Sequence, residues 1–221
     1  MIKFHPSNQQ LSQFADGTLS STEALIVSAH CDMCSQCRNK LELYVEANAE
    51  VAFPEAIDSA ESEFSSMLEM ITSQEVDAGI QVTPKNHIID LDGKTFELPR
   101  TLTRFADSIG NWSHLVGKLW QAPVDIGGDT VANFIYMEKG GSVPEHTHRG
   151  SEMTLVINGE FSDGISEYDT GDFMVMNGEH KHSPSTQADE GCLVFSIVDK
   201  PLHFTSGWAR LINPFSHLFF K

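Results

Sequence analysis

Between Leu41 and Pro84 the chain contains no lysine and no arginine. The same stretch carries Glu42, Glu46, Glu50, Glu55, Asp58, Glu61, Glu63, Glu69, Glu75 and Asp77. Over all 221 residues there are 14 basic against 31 acidic side chains, a net charge of −17. A surface that grips nucleic-acid phosphates needs clustered Lys and Arg, so direct nucleic-acid binding is excluded. No apolar run reaches the length of a membrane span. The opening "MIKFHPSNQQ" lacks the apolar core of an export signal, so a cytoplasmic protein without a membrane anchor is expected. Cysteine is scarce too: four, of which Cys31, Cys34 and Cys37 lie close together. A disulfide within that cluster would leave one thiol over, and clustered cysteines beside a histidine in a cytosolic chain more often hold a metal ion. Internal repeats and low-complexity tracts are also missing.

What is present divides into two halves with different periods. The first reads helical. Gln9–Ala15 predicts a short helix stopped at Asp16-Gly17, and Ser20 to Glu23 has capping-box spacing before "ALIVSAH". A third helix runs through "QCRNKLELYVEANAEVAF" and stops near Pro54. A fourth, from Asp58 to about Ser73, places Phe64, Met67, Leu68 and Ile71 on one face. Such a stripe is either core or a docking face. Residues 76–100 mix turn residues without a helical period and read as a linker with a short strand or hairpin. From about Leu102 onward, short β-rich runs bounded by Gly, Asn and Asp suggest a sandwich or barrel, with Asn158-Gly159 as a hairpin signal. The expected fold class is therefore α+β in two domains: helical over 1–75, linker over 76–100, antiparallel β-barrel over 101–221.

Two candidate metal sites follow. His30, Cys34 and Cys37 stand at i, i+4 and i+7 and would share one face of a helix. Two thiolates and an imidazole make three quarters of a tetrahedral zinc site. Cys31 would point about 100° away from His30, a poorer ligand. His5 is the other histidine of the helical region, and it closes the set if the first helix folds back. A site of four protein ligands is structural, pinning short helices that bury little surface alone. In the β half, His146, His148 and Glu152 are all even-numbered and share a face of an unbroken strand. A fourth ligand should come from a neighbouring strand, where "GDFMVMNGEHKHSP" offers His180 and His182.

These residues resemble a known family. Gly140, His146-Thr-His148, Glu152 and Gly159 match the first cupin motif without a gap, and the register of the second, from Gly171, puts its histidine at His182. There the chain departs from the motif, with Asn177 for proline and Glu179 for glycine. A three-His, one-carboxylate set with an open position suits zinc or another divalent first-row ion: Fe, Mn or Ni. His5, then His30-x₃-Cys34-x₂-Cys37, then a cupin is similar to the ChrR type of zinc-binding anti-sigma factors. That resemblance implies a zinc-pinned helical bundle followed by a single jelly-roll cupin. It implies a regulator that sequesters an extracytoplasmic-function sigma factor and releases it under oxidative stress, of the singlet-oxygen or peroxide kind. The switch would start at a metal ligand, at Cys192, or in the linker. Sigma factors are basic, and an acidic helical domain suits them.

The competing class is a metal-dependent cupin enzyme, a dioxygenase or isomerase, with the zinc module as an appendage. Glu145, Arg149 and His180 would then be candidate substrate contacts, although the two odd-numbered residues should face away. A third reading is a homodimer through the cupin, using Phe215, Leu218, Phe219 and Phe220 of "NPFSHLFFK". The plainer expectation is that this tail closes the barrel's own core.

Overall fold

Serine caps start the first two helices. In the computed structural model the Ser7 hydroxyl accepts the Gln10 N–H at 3.2 Å, and the Gln10 side chain accepts the Ser7 N–H at 3.0 Å. This reciprocal box opens α1 (Asn8–Ala15). Ser20 accepts the Glu23 N–H and opens α2 (Ser21–Met33). At Cys34 the backbone turns extended (φ −113°, ψ 104°), and α3 (Ser35–Ala52) begins at once. The His30–Cys37 stretch is therefore a corner between two helices, not one continuous helical face. The structure describes residues 1–53, 61–75, 88–115, 117–128, 130–200 and 202–205, with backbone alone at 61–63. The "NPFSHLFFK" tail and much of the 76–100 segment lie outside them.

α4 (Glu61–Thr72) is followed by a hairpin of β1 (Ile88–Leu91) and β2 (Lys94–Glu97). Its turn, Asp92-Gly93, has positive φ at both residues (55° and 85°), the geometry that the right-handed strand twist favours. A short α5 (Arg100–Thr103) leads into the β half. The strands are β3 (Ser113–His114), β4 (Leu119–Val124), β5 (Val131–Met137), β6 (His146–His148), β7 (Glu152–Ser162), β8 (Glu167–Asp169), β9 (Phe173–Met176), β10 (Cys192–Val198) and β11 (Leu202–Phe204). All pairings are antiparallel. The main sheet runs β3-β4-β5-β10-β7-β8, with β9 also on β7, and β6 pairs β11 separately. The architecture is the expected α+β one, a helical part followed by a cupin-like β part, and among the described residues the sheets do not close into a continuous ring. β10 is buried along its whole length, as a central strand covered on both faces should be.

Asn158-Gly159 does not turn a hairpin. It lies inside β7, where the pairing with β10 slips by one residue. Gly159 sits at φ 85°, and a Cβ there would fall 2.1 Å from the Gly191 carbonyl oxygen. A glycine is required because two strands cross too closely for a side chain, the other common use of glycine in a strand.

The two halves share a core. Leu25, Ile26 and Ala29 of α2 pack in one cluster with Phe96 of the hairpin and Phe134, Leu155 and Phe195 of the sheet. The opposite side of α2 presents Val27 and Cys31 to Leu11 of α1. Polar ties reinforce the seam: Asp32 accepts the Thr101 N–H at 2.6 Å, and the Ser28 and Thr101 hydroxyls meet at 2.9 Å. No described helix is long and apolar enough to cross a membrane. Ile26 is fully buried at this seam. Ile26→Ala should destabilise the chain by about 2–5 kcal/mol. It should also lower the melting of helical and β signals together in circular dichroism. Separate melting of the two would reject the shared core.

Candidate metal centres

The corner at Cys34 gathers four donors. His30 arrives in the last turn of α2, Cys34 sits at the junction, and Cys37 lies in the first turn of α3. His5 comes from the extended segment ahead of α1. Its Nδ1 lies 3.4 Å from His30 Nε2, 3.5 Å from Cys34 Sγ and 3.4 Å from Cys37 Sγ, and His30 Nε2 is 3.3 Å from Cys37 Sγ. A tetrahedral zinc with Zn–N of about 2.0–2.1 Å and Zn–S of about 2.3 Å has edges of roughly 3.3–3.8 Å between its ligands. The donor atoms stand at that spacing and can hold such an ion. His30 and the two cysteines are buried, and His5 is partly so. Cys31 is buried against Leu11 and Val27 instead, outside the set.

The electrostatics are those of a dry pocket. Burial, offset in part by the bond to Gly171, lowers His30 to about 4. Burial, then the neighbouring Cys34, pushes the Cys37 thiol up to about 12. A divalent cation inverts this preference, because it deprotonates a coordinating thiol outright. His30 Nδ1 lies 2.9 Å from the Gly171 carbonyl oxygen. A carbonyl can only accept, so Nδ1 carries the proton and Nε2 presents its lone pair to the other donors.

The second group lies in the β half. His146 and His148 come from β6, Glu152 from the first residue of β7, and His182 from the loop before β10. The strand breaks at residues 149–151, so Glu152 joins the histidines from the next strand and not by alternation along one. His182 and His146 exchange backbone hydrogen bonds of 3.1 and 3.2 Å. The Nε2 atoms of His146 and His182 are 2.9 Å apart, those of His148 and His182 3.0 Å, and His148 Nε2 is 3.0 Å from Glu152 Oε2. All four donor atoms lie within 4.8 Å of one another, close enough for one divalent ion to be held by them together. Glu152 accepts hydrogen bonds from Ser196 (2.6 Å) and Thr154 (3.2 Å). Burial alone would raise its pKa, but His148 and the Ser196 bond outweigh burial and hold it below the ordinary carboxylate value. His146 Nδ1 is held by the Pro144 carbonyl at 2.9 Å, whereas His148 and His182 Nδ1 have no protein partner.

His180 stands outside this group, exposed and bonded through Nδ1 to Asn177 at 2.9 Å. Glu145 and Arg149 are also exposed, engaged with Thr205 and His203 at the rim. Sequence spacing did not reveal Gly171, Ser196 or Thr154 as supports. They act across strands, and only Gly171, as the first residue of the second motif, carried any signal. An apolar cavity of about 70 Å³ adjoins His146, Glu152 and His182, walled by Met137, Val143, Phe161 and Met174.

The fold and the two donor groups define a cupin protein with an N-terminal His/Cys helical module. Residues 106–200 match the model of the ChrR cupin-like domain. The anti-sigma-E factor ChrR of Cereibacter sphaeroides is 30% identical over 223 residues, covering 97% of this chain and 98% of that protein. The crystal structure of Rhodobacter sphaeroides SigE in complex with the anti-sigma ChrR superposes with a TM-score of 0.65 at 25% identity, over 90% of this chain and 100% of that one. The chain belongs to the ChrR family of anti-sigma factors.

The buried imidazoles set a pH dependence. His30 and His182 sit near 4 in the folded chain, against 6.5 for the free side chain. Between these values the unfolded chain binds protons that the folded chain refuses. Metal-free protein should keep its full stability above about pH 6.5 and lose it as pH falls toward 4. Thermal melts in chelator at pH 7 and pH 5 check this; equal melting temperatures would rule out neutral, buried rings.

Proposed function

We propose that the protein is an anti-sigma factor that sequesters an extracytoplasmic-function sigma factor in the cytoplasm through its N-terminal helices. The observation that carries this reading is α4. Every described side chain from Phe64 to Glu75 is exposed, including the stripe Phe64, Met67, Leu68 and Ile71. Leu43, Val45 and Val51 of α3, and Phe53 just past its end, are exposed as well. Isolated exposed apolar residues need no explanation, but a stripe of them along one helix marks a docking surface. The surrounding acid, without a lysine or arginine from Leu41 to Pro84, speeds encounter with a basic partner and rejects acidic ones. The relative ChrR is an anti-sigma-E factor and was crystallised with SigE, which supports a sigma factor as the partner.

In this reading residues 1–75 are the docking module, 101–221 the cupin and 76–100 the connection. His5, His30, Cys34 and Cys37 hold Zn²⁺, which fixes the corner between α2 and α3 and so aims α3 at the partner. His146, His148, Glu152 and His182 would hold a divalent first-row ion, which when bound would supply Lewis acidity or redox chemistry for sensing the oxidative signal. The protein supplies an ionised carboxylate and an apolar wall. The adjoining cavity of about 70 Å³ is small beside the ~300–1,000 Å³ of sites for drug-sized ligands. That size favours a signal of a few atoms over the substrate of a dioxygenase or isomerase.

Leu68→Glu with Ile71→Glu should weaken sigma-factor binding at least about 100-fold by calorimetry, with the melting temperature nearly unchanged, since both sites are already exposed. Retained binding would remove α4 from the interface and with it the main support for the reading. Elemental analysis of protein purified without added metal should find two ions per chain. Cys37→Ser should lose the zinc and His148→Ala the other ion; loss of the same ion in both variants would reject two separate centres.

A further inference from the structure

The turn between β8 and β9 belongs to the cupin, yet it reaches into the N-terminal donor group. Asp172 is fully buried and accepts the N–H groups of Lys3 (2.6 Å) and Phe4 (3.0 Å) on one carboxylate oxygen and of Asp169 (2.8 Å) on the other. The Phe173 N–H returns a bond of 3.0 Å to the Phe4 carbonyl. The next residue along is His5, a donor. On the other side of the turn, the Gly171 carbonyl holds His30 Nδ1 at 2.9 Å. Gly171 has φ 91°, a left-handed conformation that favours glycine, and the Ile2 side chain packs directly over it, with Cδ1 2.5 Å from where a Cβ would stand. Both imidazoles of the N-terminal group are thus tied to the cupin: His30 directly, His5 through the adjoining backbone of Lys3 and Phe4 that Asp172 grips.

We propose that Gly171 and Asp172 are positioning residues of the N-terminal metal centre, so that metal binding at that centre and docking of the cupin turn stabilise each other. The proposal rests on reading His5, His30, Cys34 and Cys37 as metal ligands and is independent of the sigma factor. The physical reason is that an imidazole ligand whose far N–H is held by a carbonyl is fixed in tautomer and direction, and losing such support typically costs 10–100-fold in affinity. By linkage, the ion must tighten the turn as much as the turn tightens the ion. The turn runs straight into β9, whose Met174 walls the cavity beside His146, Glu152 and His182. A displacement of β9 by an event in that cavity therefore reaches His30 within three residues of chain.

The test uses the full-length protein without any partner and Co²⁺ as the probe. Thiolate-to-cobalt charge transfer reports only the N-terminal centre, because the cupin group has no sulfur. Asp172→Asn should speed cobalt release to a chelator about tenfold or more and weaken the thiolate and ligand-field bands. Asp163→Asn is the control. Asp163 is equally deep in the cupin and caps its own turn through Ile165, Ser166 and Tyr168, without a hydrogen bond to the N-terminal segment. It should leave both readouts within about twofold. Should Asp172→Asn fail to fold, the unmutated chain still decides. Hydrogen exchange of the Phe173 amide should quicken at least about tenfold when the N-terminal ion is removed, with amides in the centre of β10 unchanged. Equal cobalt release from the two variants, or equal Phe173 protection with and without the ion, would overturn the coupling. Failure to bind a sigma factor would leave this result untouched, which separates the two readings.

Discussion

The structure depends on one imidazole that faces two ways. His30 turns Nε2 toward His5 and Cys37 and Nδ1 toward the Gly171 carbonyl. It is fully buried in the last turn of α2 and stands at the meeting of helix, N-terminal segment and cupin. A neutral ring buried there is tolerable only because both nitrogens are engaged. The continuation of α3 away from α2 and the seating of residues 1–5 on the β8–β9 turn follow from that position.

The two donor groups differ as their spacings require. The N-terminal one has edges of 3.3–3.5 Å and four protein donors, which fills a tetrahedron. The cupin one brings three imidazoles and a carboxylate together, with neighbouring donors at 2.9–3.0 Å and an apolar cavity beside them. One arrangement suits a pin and the other suits a port. The helices follow the same division of labour. α2 is buried on both sides, by the cupin core and by α1, whereas α4 buries none of its described side chains. The apolar side chains of α4 are the surface on which the proposed partner would dock, and the acidic residues around them favour a basic one.

Much of this was legible in the sequence because short-range rules govern it. Ser20 announces α2 through a hydroxyl that reaches only three residues ahead, whereas the Ser7 box that opens α1 carried the same signal and was not read. The histidine and cysteine spacings name their donors because ligands to one ion must be neighbours. The errors have a common cause. The i, i+4, i+7 reading assumed an unbroken helix through Cys34, and the even-number reading assumed an unbroken strand through Glu152. Both groups assemble at corners, where convergence on a point overrides the regular period. Asn158-Gly159 has the composition of a turn, and only the approach of the Gly191 carbonyl makes it a bulge.

The sequence by itself determined which residues could bind metal, that the chain has a helical and a β half, and that the acidic helical half would repel nucleic acid. These are matters of composition and local spacing. The tertiary structure decided that the halves share one core, that the Gly171 carbonyl holds the His30 imidazole and Asp172 the backbone of Lys3 and Phe4, and that the described side chains of the α4 stripe are exposed. Those depend on which distant segments lie against each other, and a hydrogen bond between His30 and Gly171 leaves no trace in the spacing of either.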